Sequence, residues 1–333
     1  MTGSRRTYSI SLFACLALLF MHSAAAWDSV GHRLSASLAA HYLGDSTTAE
    51  LLRILQQHPR YRQDFTEQMP ASIFQENEDS RINWLLGQAA FWPDIARGLP
   101  ESERKKYNRA NWHYIDGAWL RGQANAQGNT YIGISPFVDI AGQAAQNIQS
   151  EASVDNIMVA LDFNTSLLAN SQAPMPQRAI ALCWVLHLIG DIHQPLHAGS
   201  LYSAKRFSNG DRGGSGIDTD DRNLHARWDR ALSSSGIKPN LEAILKQHSK
   251  RLERMAEQDA GDWSLWMMES RTLLLKSVYT SEMKSTIALT DESNEPLRKF
   301  TLDDNYVETM EDQARLRLAL AGRRLAIWFE NNL

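Results

Sequence analysis

Apolar residues recur at helical spacing through most of this chain, and strict alternation is scarce. Leu34, Leu38, Ala39 and Tyr42, then Leu51, Leu52, Ile54 and Leu55, predict two helices within 33–57. Gly44-Asp45-Ser46 separates them, with Asp45 or Ser46 as the cap. Residues 58–80 are polar and predict loops. Asn83 to Phe91 predicts a helix ended by Pro93, because proline removes a donor and crowds the preceding turn. The charge run within 98–109 reads as a solvated face, and 121–130 as a loop or hairpin tip. Residues 131–140 lead into a helix to about Ser150, and 154–169 predicts another. The most apolar stretch, 176–197, predicts a helix starting near Pro176 and stopping by Gln194, since Pro195 follows. A Gly/Ser/Asp-rich loop fills 199–222, a length common in functional loops. Amphipathic helices are predicted at 240–257, 262–286 and 303–331. The pattern is that of an all-α, single-domain multi-helix bundle with long loops.

The first 26 residues fit no part of that bundle. Arg5 and Arg6, an apolar run from Ile10 to Met21 and Ala24-Ala25-Ala26 form a secretory signal with its cleavage site. Ser4-Arg5-Arg6 also resembles a twin-arginine signal. Cleavage leaves one domain, 27–333, secreted or periplasmic and without a membrane anchor. The two arginines depart and no acid does, so the formal charge moves from −4 to −6. A mildly acidic chain disfavours nucleic-acid binding through a broad basic face, but not phosphate binding through metal ions. Of the two cysteines, Cys15 leaves with the signal and Cys183 sits in an apolar helix, so the mature chain has no internal disulfide.

The candidate chemistry gathers on and around 176–197. His187 and Asp191 are four apart, hence stacked on one helix face, and His197 follows in the turn beyond. His225 and Asp229 repeat the four-residue spacing. Three fragments supply more ligand types: Trp27-Asp28-Ser29-Val30-Gly31-His32, Trp92-Pro93-Asp94-Ile95-Ala96-Arg97 and Trp112-His113-Tyr114-Ile115-Asp116. Imidazole and carboxylate are the usual ligands of zinc. His193 reads as an outer or surface residue, and His41 and His58 as ordinary. Trp84, Trp92, Trp112, Trp184 and Trp228 read as core, and Asn164-Thr165-Ser166 as a glycosylation sequon in a eukaryotic host.

In order and spacing these motifs resemble the secreted zinc-dependent nucleases and 3′-nucleotidases of fungi, plants and bacteria, the S1/P1 family, over essentially the whole mature chain. The resemblance implies three zinc ions. Asp94, His113, His187 and Asp191 would hold the first. The Trp27 α-amino nitrogen and carbonyl, His32 and a shared Asp191 would hold the second. His197, His225 and Asp229 would hold the third. It implies hydrolysis of single-stranded DNA and RNA to 5′-phosphates, and of 3′-mononucleotides, with Asp94 orienting the attacking water and Arg97 gripping the phosphorus oxygens. Tyr114 and Asp116 would form the base pocket, an aromatic face and a carboxylate for a base edge. No stable protein partner is implied.

Two departures stand out. Fungal and plant members carry disulfides, which points to a bacterial member. Ser215 stands where the family's Gly-Gly-Asn element has Asn. The rival enzyme, bacterial zinc phospholipase C, shares the N-terminal-Trp site. There the first histidine lies farther along and the last ligand is Glu, against His32 and Asp229 here.

Overall fold

The computed structural model describes residues 27–117, 121–133, 154–255 and 261–333. The expected signal segment and the helix expected near Ser150 lie outside them. The longer helices are α1 (Ser29–Tyr42), α2 (Asp45–Leu55), α3 (Glu78–Arg97), α4 (Ile157–Ala169) and α5 (Met175–Asp191), followed by the short α6 (Leu224–Asp229). After them come α7 (Ile237–Glu253), α8 (Trp263–Leu273), α9 (Ser281–Ser293) and α10 (Asp304–Asn332). The fold is a single, mostly helical domain, as the apolar spacing predicts.

Helix α1 is the inner column, packed against α3, α10 and α5. It starts where the Asp28 side chain accepts from the Val30 and Gly31 amides. Its approach to α10 is close enough to require glycine. A Cβ on Gly322 would lie 2.7 Å from both Leu38 Cβ and the Ser35 carbonyl oxygen. Two large apolar clusters result among the described residues. One gathers Trp92, Trp112 and Trp184 with the faces of α3, α4 and α5; the other gathers Trp27, Leu34, Leu196 and Trp228 with α10. Trp84 is only partly buried, under the Arg33 guanidinium.

Several expectations need correction. Pro93 does not end its helix; α3 runs on to Arg97. A proline inside a helix costs about 3 kcal/mol. Burial of Trp92, Pro93 and Ala96 against the rest of the fold offsets it. Helix α2 has Gly44 as its cap residue and no side-chain cap; Glu330 of α10 accepts from the Gly44 amide and the Thr47 hydroxyl instead. The helix expected over 262–286 is two, because a π-turn at Leu274–Val278 leads to Thr280, whose hydroxyl caps α9. Short helical turns interrupt 58–80 at Tyr61–Asp64, Thr66–Gln68 and Ala71–Phe74. Segment 121–130 holds the helical turn Arg121–Ala126 and leads into strand β1 (Thr130–Gly133). Its antiparallel partner, β2 (Ser200–Ser203), lies in the expected loop 199–222, paired from Thr130↔Ser203 to Gly133↔Ser200. Asn164 is buried, its amide donating to the Ala160 carbonyl, so the sequon offers no accessible acceptor.

Candidate metal centre

The C-terminal end of α5 brings the ligands together. His187 and Asp191 project from one face, as their spacing requires, and both are fully buried. The turn Pro195–His197 then delivers His197. Three groups of side chains converge with ligand atoms within 4.8 Å of one another: His32, Asp94 and His187; His113, His187 and Asp191; His197, His225 and Asp229. Every histidine and aspartate expected at the centre from sequence is among them.

Asp191 lies between imidazoles on both sides. Its Oδ2 is 2.9 Å from His113 Nδ1 and 3.1 Å from His187 Nε2, while Oδ1 is 3.4 Å from His32 Nε2. The His32 and His187 rings stack at 3.8 Å, so His32 sits beside the Asp94 group as well. Backbone carbonyls fix three tautomers. His187 Nδ1 donates to Ala90, His197 Nδ1 to His113 and His225 Nδ1 to Gly213, at 2.8, 2.7 and 2.6 Å. Each therefore presents the Nε2 lone pair inward. The His197 and His225 Nε2 atoms are 3.3 Å apart, and His225 Nε2 is 3.3 Å from Asp229 Oδ2. Lone pairs facing each other at that distance repel unless a cation lies between them.

Burial sets the protonation of the centre. Desolvation, then the neighbouring His187, holds His32 down at about 4, and desolvation holds His187 at about 4. His113 and His197 are pushed well below the usual range for the same first reason. These four imidazoles are thus neutral, the ligand form. Desolvation raises the Asp191 carboxyl to about 7 and lifts that of Asp229 well above its ordinary value. Both His32 ring nitrogens, His113 Nε2 and Asp191 Oδ1 have no hydrogen-bond partner although buried. Buried polar atoms are rarely left so without a ligand to take them. The donor set of nitrogens and carboxylate oxygens fits a divalent cation such as zinc.

Trp27 is buried, its indole donating to the Gly190 carbonyl, while the Asp28 amide donates to the Asp229 carbonyl. Residue 27 is thereby held between the ends of α5 and α6. Arg97 lies one turn beyond Asp94, 3.1 Å from its Oδ1, and both side chains keep partial solvent access. Tyr114 is 36% exposed, which sets aside a core role. The Ser200 hydroxyl donates to Asp116 Oδ1, and the Ile115 amide to the His197 carbonyl. The segment carrying Tyr114 and Asp116 is thus bound to the segment carrying His197.

His193 is no surface residue. It is fully buried, donates Nδ1 to the Ile189 carbonyl and accepts from Arg324 of α10. His58 is also buried, its Nδ1 accepting from the Arg60 amide. The sequence reading passed over Gln194, whose buried amide donates to Asp229 Oδ1 at 2.8 Å. The available signal was a polar amide inside the apolar stretch 176–197.

A helical domain with ligand groups meeting at one carboxylate is a framework suited to a metal-dependent hydrolase. The S1/P1 Nuclease profile matches residues 27–333, so the chain belongs to that family and is a nuclease, hydrolysing phosphodiester bonds. It is 23% identical to Nuclease S1 of Aspergillus oryzae over 318 residues, 91% of each chain. Over shorter spans it is 31% identical to Endonuclease 4 and 27% identical to Endonuclease 5 of Arabidopsis thaliana, each covering 44% of this chain and 48% of the relative. Among the described residues no helix is long and apolar enough to cross a membrane.

Proposed function

We propose that the chain is a zinc-dependent endonuclease and 3′-nucleotidase, acting outside the cytoplasm on single-stranded DNA and RNA once residues 1–26 are removed. One observation carries the reading. His187, His197 and His225 each give their Nδ1 proton to a backbone carbonyl and turn Nε2 towards neighbouring ligand atoms, while Asp191 stands between two imidazole groups. The assignment of nine ligands to three zinc ions follows the family scheme: Asp94, His113, His187 and Asp191; Trp27, His32 and Asp191; His197, His225 and Asp229. Zinc held by those residues would supply Lewis acidity, making water more acidic and placing positive charge near the phosphoryl oxygens.

The remaining work falls to this chain's own side chains. Asp94 accepts a hydrogen bond from the attacking water and aims it at phosphorus. Arg97, with its fork beside Asp94, takes two non-bridging oxygens as charge builds on them. The exposed face of Tyr114 stacks a base, worth ~1–3 kcal/mol, and Asp116 accepts from a base N–H. Stacking needs a base free of its own helix, hence the preference for single strands. The hold on residue 27 supports cleavage after Ala26, which would free its amine at the ligand cluster. The family match also begins at residue 27.

Denatured DNA, duplex DNA, RNA, a 3′-mononucleotide and a phosphatidylcholine should be assayed in parallel. Cleavage of the denatured DNA and RNA to 5′-phosphates, with release of the 3′-phosphate and faster turnover of denatured than duplex DNA, is expected. Preferential hydrolysis of the lipid, or equal rates on duplex and denatured DNA, would overturn the reading.

A further inference from the structure

We infer that Gln194 is a positioning residue for the third ligand group, joining His197 and Asp229 through one side chain. This rests on the metal-centre reading above. The side chain is fully buried and makes two contacts: Oε1 accepts from the Leu196 amide at 2.6 Å, and Nε2 donates to Asp229 Oδ1 at 2.8 Å. The orientation of the amide follows from its partners. The Leu196 N–H can only donate and so must face the oxygen, which turns the NH2 group to the carboxylate.

Each contact fixes a ligand. The first caps the tight turn Pro195–His197, whose end is His197. The second occupies one oxygen of Asp229 and leaves Oδ2, the atom 3.3 Å from His225 Nε2, as the one facing the other ligands. Asp229 can then bind a cation through a single oxygen, at an angle set by Gln194. The backbone of Gln194 continues the link, its amide donating to the Asp191 carbonyl and its carbonyl accepting from the His197 amide. A carboxylate without this donor is free to rotate between one-oxygen and two-oxygen binding. Outer partners of metal ligands typically set metal affinity by 10–100-fold.

Two variants separate the contacts. Gln194→Asn keeps an oxygen able to accept from the amide two residues on, a contact Asn makes well, but is one methylene too short for Asp229. Gln194→Met keeps the volume and loses both. Zinc per chain by elemental analysis after graded chelation, alongside the thermal midpoint of the metal-free protein, reads the result. Gln194→Asn should lose one zinc at about 10–100-fold lower chelator concentration than wild type, retain the other two as wild type does, and keep the metal-free midpoint. Gln194→Met should lose the same zinc at least as readily. If Gln194→Asn holds every zinc as wild type does, or all weaken together with the midpoint, the positioning role is wrong. A wild-type protein without a third zinc would instead overturn the underlying metal-centre reading.

Discussion

Gly213 offers a severe test of how the third ligand group is built. Its φ is +56°, and a Cβ there would stand 2.3 Å from the Leu196 carbonyl oxygen and 3.4 Å from His225 Nδ1. Leu196 precedes His197, and the Gly213 carbonyl holds His225. Gly213→Ala therefore presses on two ligands of one group. The left-handed conformation costs a non-glycine residue about 1–2 kcal/mol. Clearing the overlap needs a backbone shift of about 1 Å, with overpacking worth about 1–3 kcal/mol more. The sum is about 2–5 kcal/mol, against the 5–15 kcal/mol typical of a whole domain. Gly128→Ala is the control, since its φ is +70° but nothing lies within 4 Å of the added carbon. Urea unfolding of both metal-free variants should show Gly213→Ala losing at least 1 kcal/mol more than Gly128→Ala. Zinc titration should show only Gly213→Ala weakening its hold on a zinc. Equal losses in the two variants, with full zinc retention in both, would refute the reasoning.

Arg97→Ala should lower turnover on denatured DNA by about 10²–10³-fold, the usual cost of one transition-state donor, with zinc content unchanged; near-normal turnover would remove Arg97 from the chemistry. His58 predicts acid sensitivity that is independent of metal. Burial lowers it from 6.5 to about 3, so the unfolded chain binds its proton first. Its neutral form is held fully in the fold above pH 6.5, and stability falls as pH drops from there towards 3, by about 2 kcal/mol at pH 5. His58→Gln, which keeps an acceptor for the Arg60 amide, should flatten that slope in the metal-free protein. An unchanged slope would count against a neutral buried imidazole at this position.

The helical class was legible in the apolar spacing, and the candidate pairs His187/Asp191 and His225/Asp229 in their four-residue spacing, whereas His32, Asp94 and His113 became candidates only through the family resemblance. Four-residue spacing fixes which face of a helix His187 and Asp191 share, whatever the tertiary context. Pro93 was misjudged because its cost is local and visible, while the offset comes from side chains brought there by the rest of the fold. The break at Thr280 and the pairing of β1 with β2 were hidden for the same reason, since the latter joins Thr130 to Ser203. The burial of His193 and the role of Gln194 were not legible because their partners, Arg324 and Asp229, lie far along the chain. Neither has a periodic signature. The bond from Ser200 to Asp116 depends on the same kind of long-range meeting.

A native mass spectrum of the exported protein tests the central claim most directly, because one mass reports both the first residue and the bound metal. The account predicts a chain beginning at Trp27 with three zinc ions. A chain that cleaves denatured DNA while beginning elsewhere, or while carrying no zinc, would contradict it.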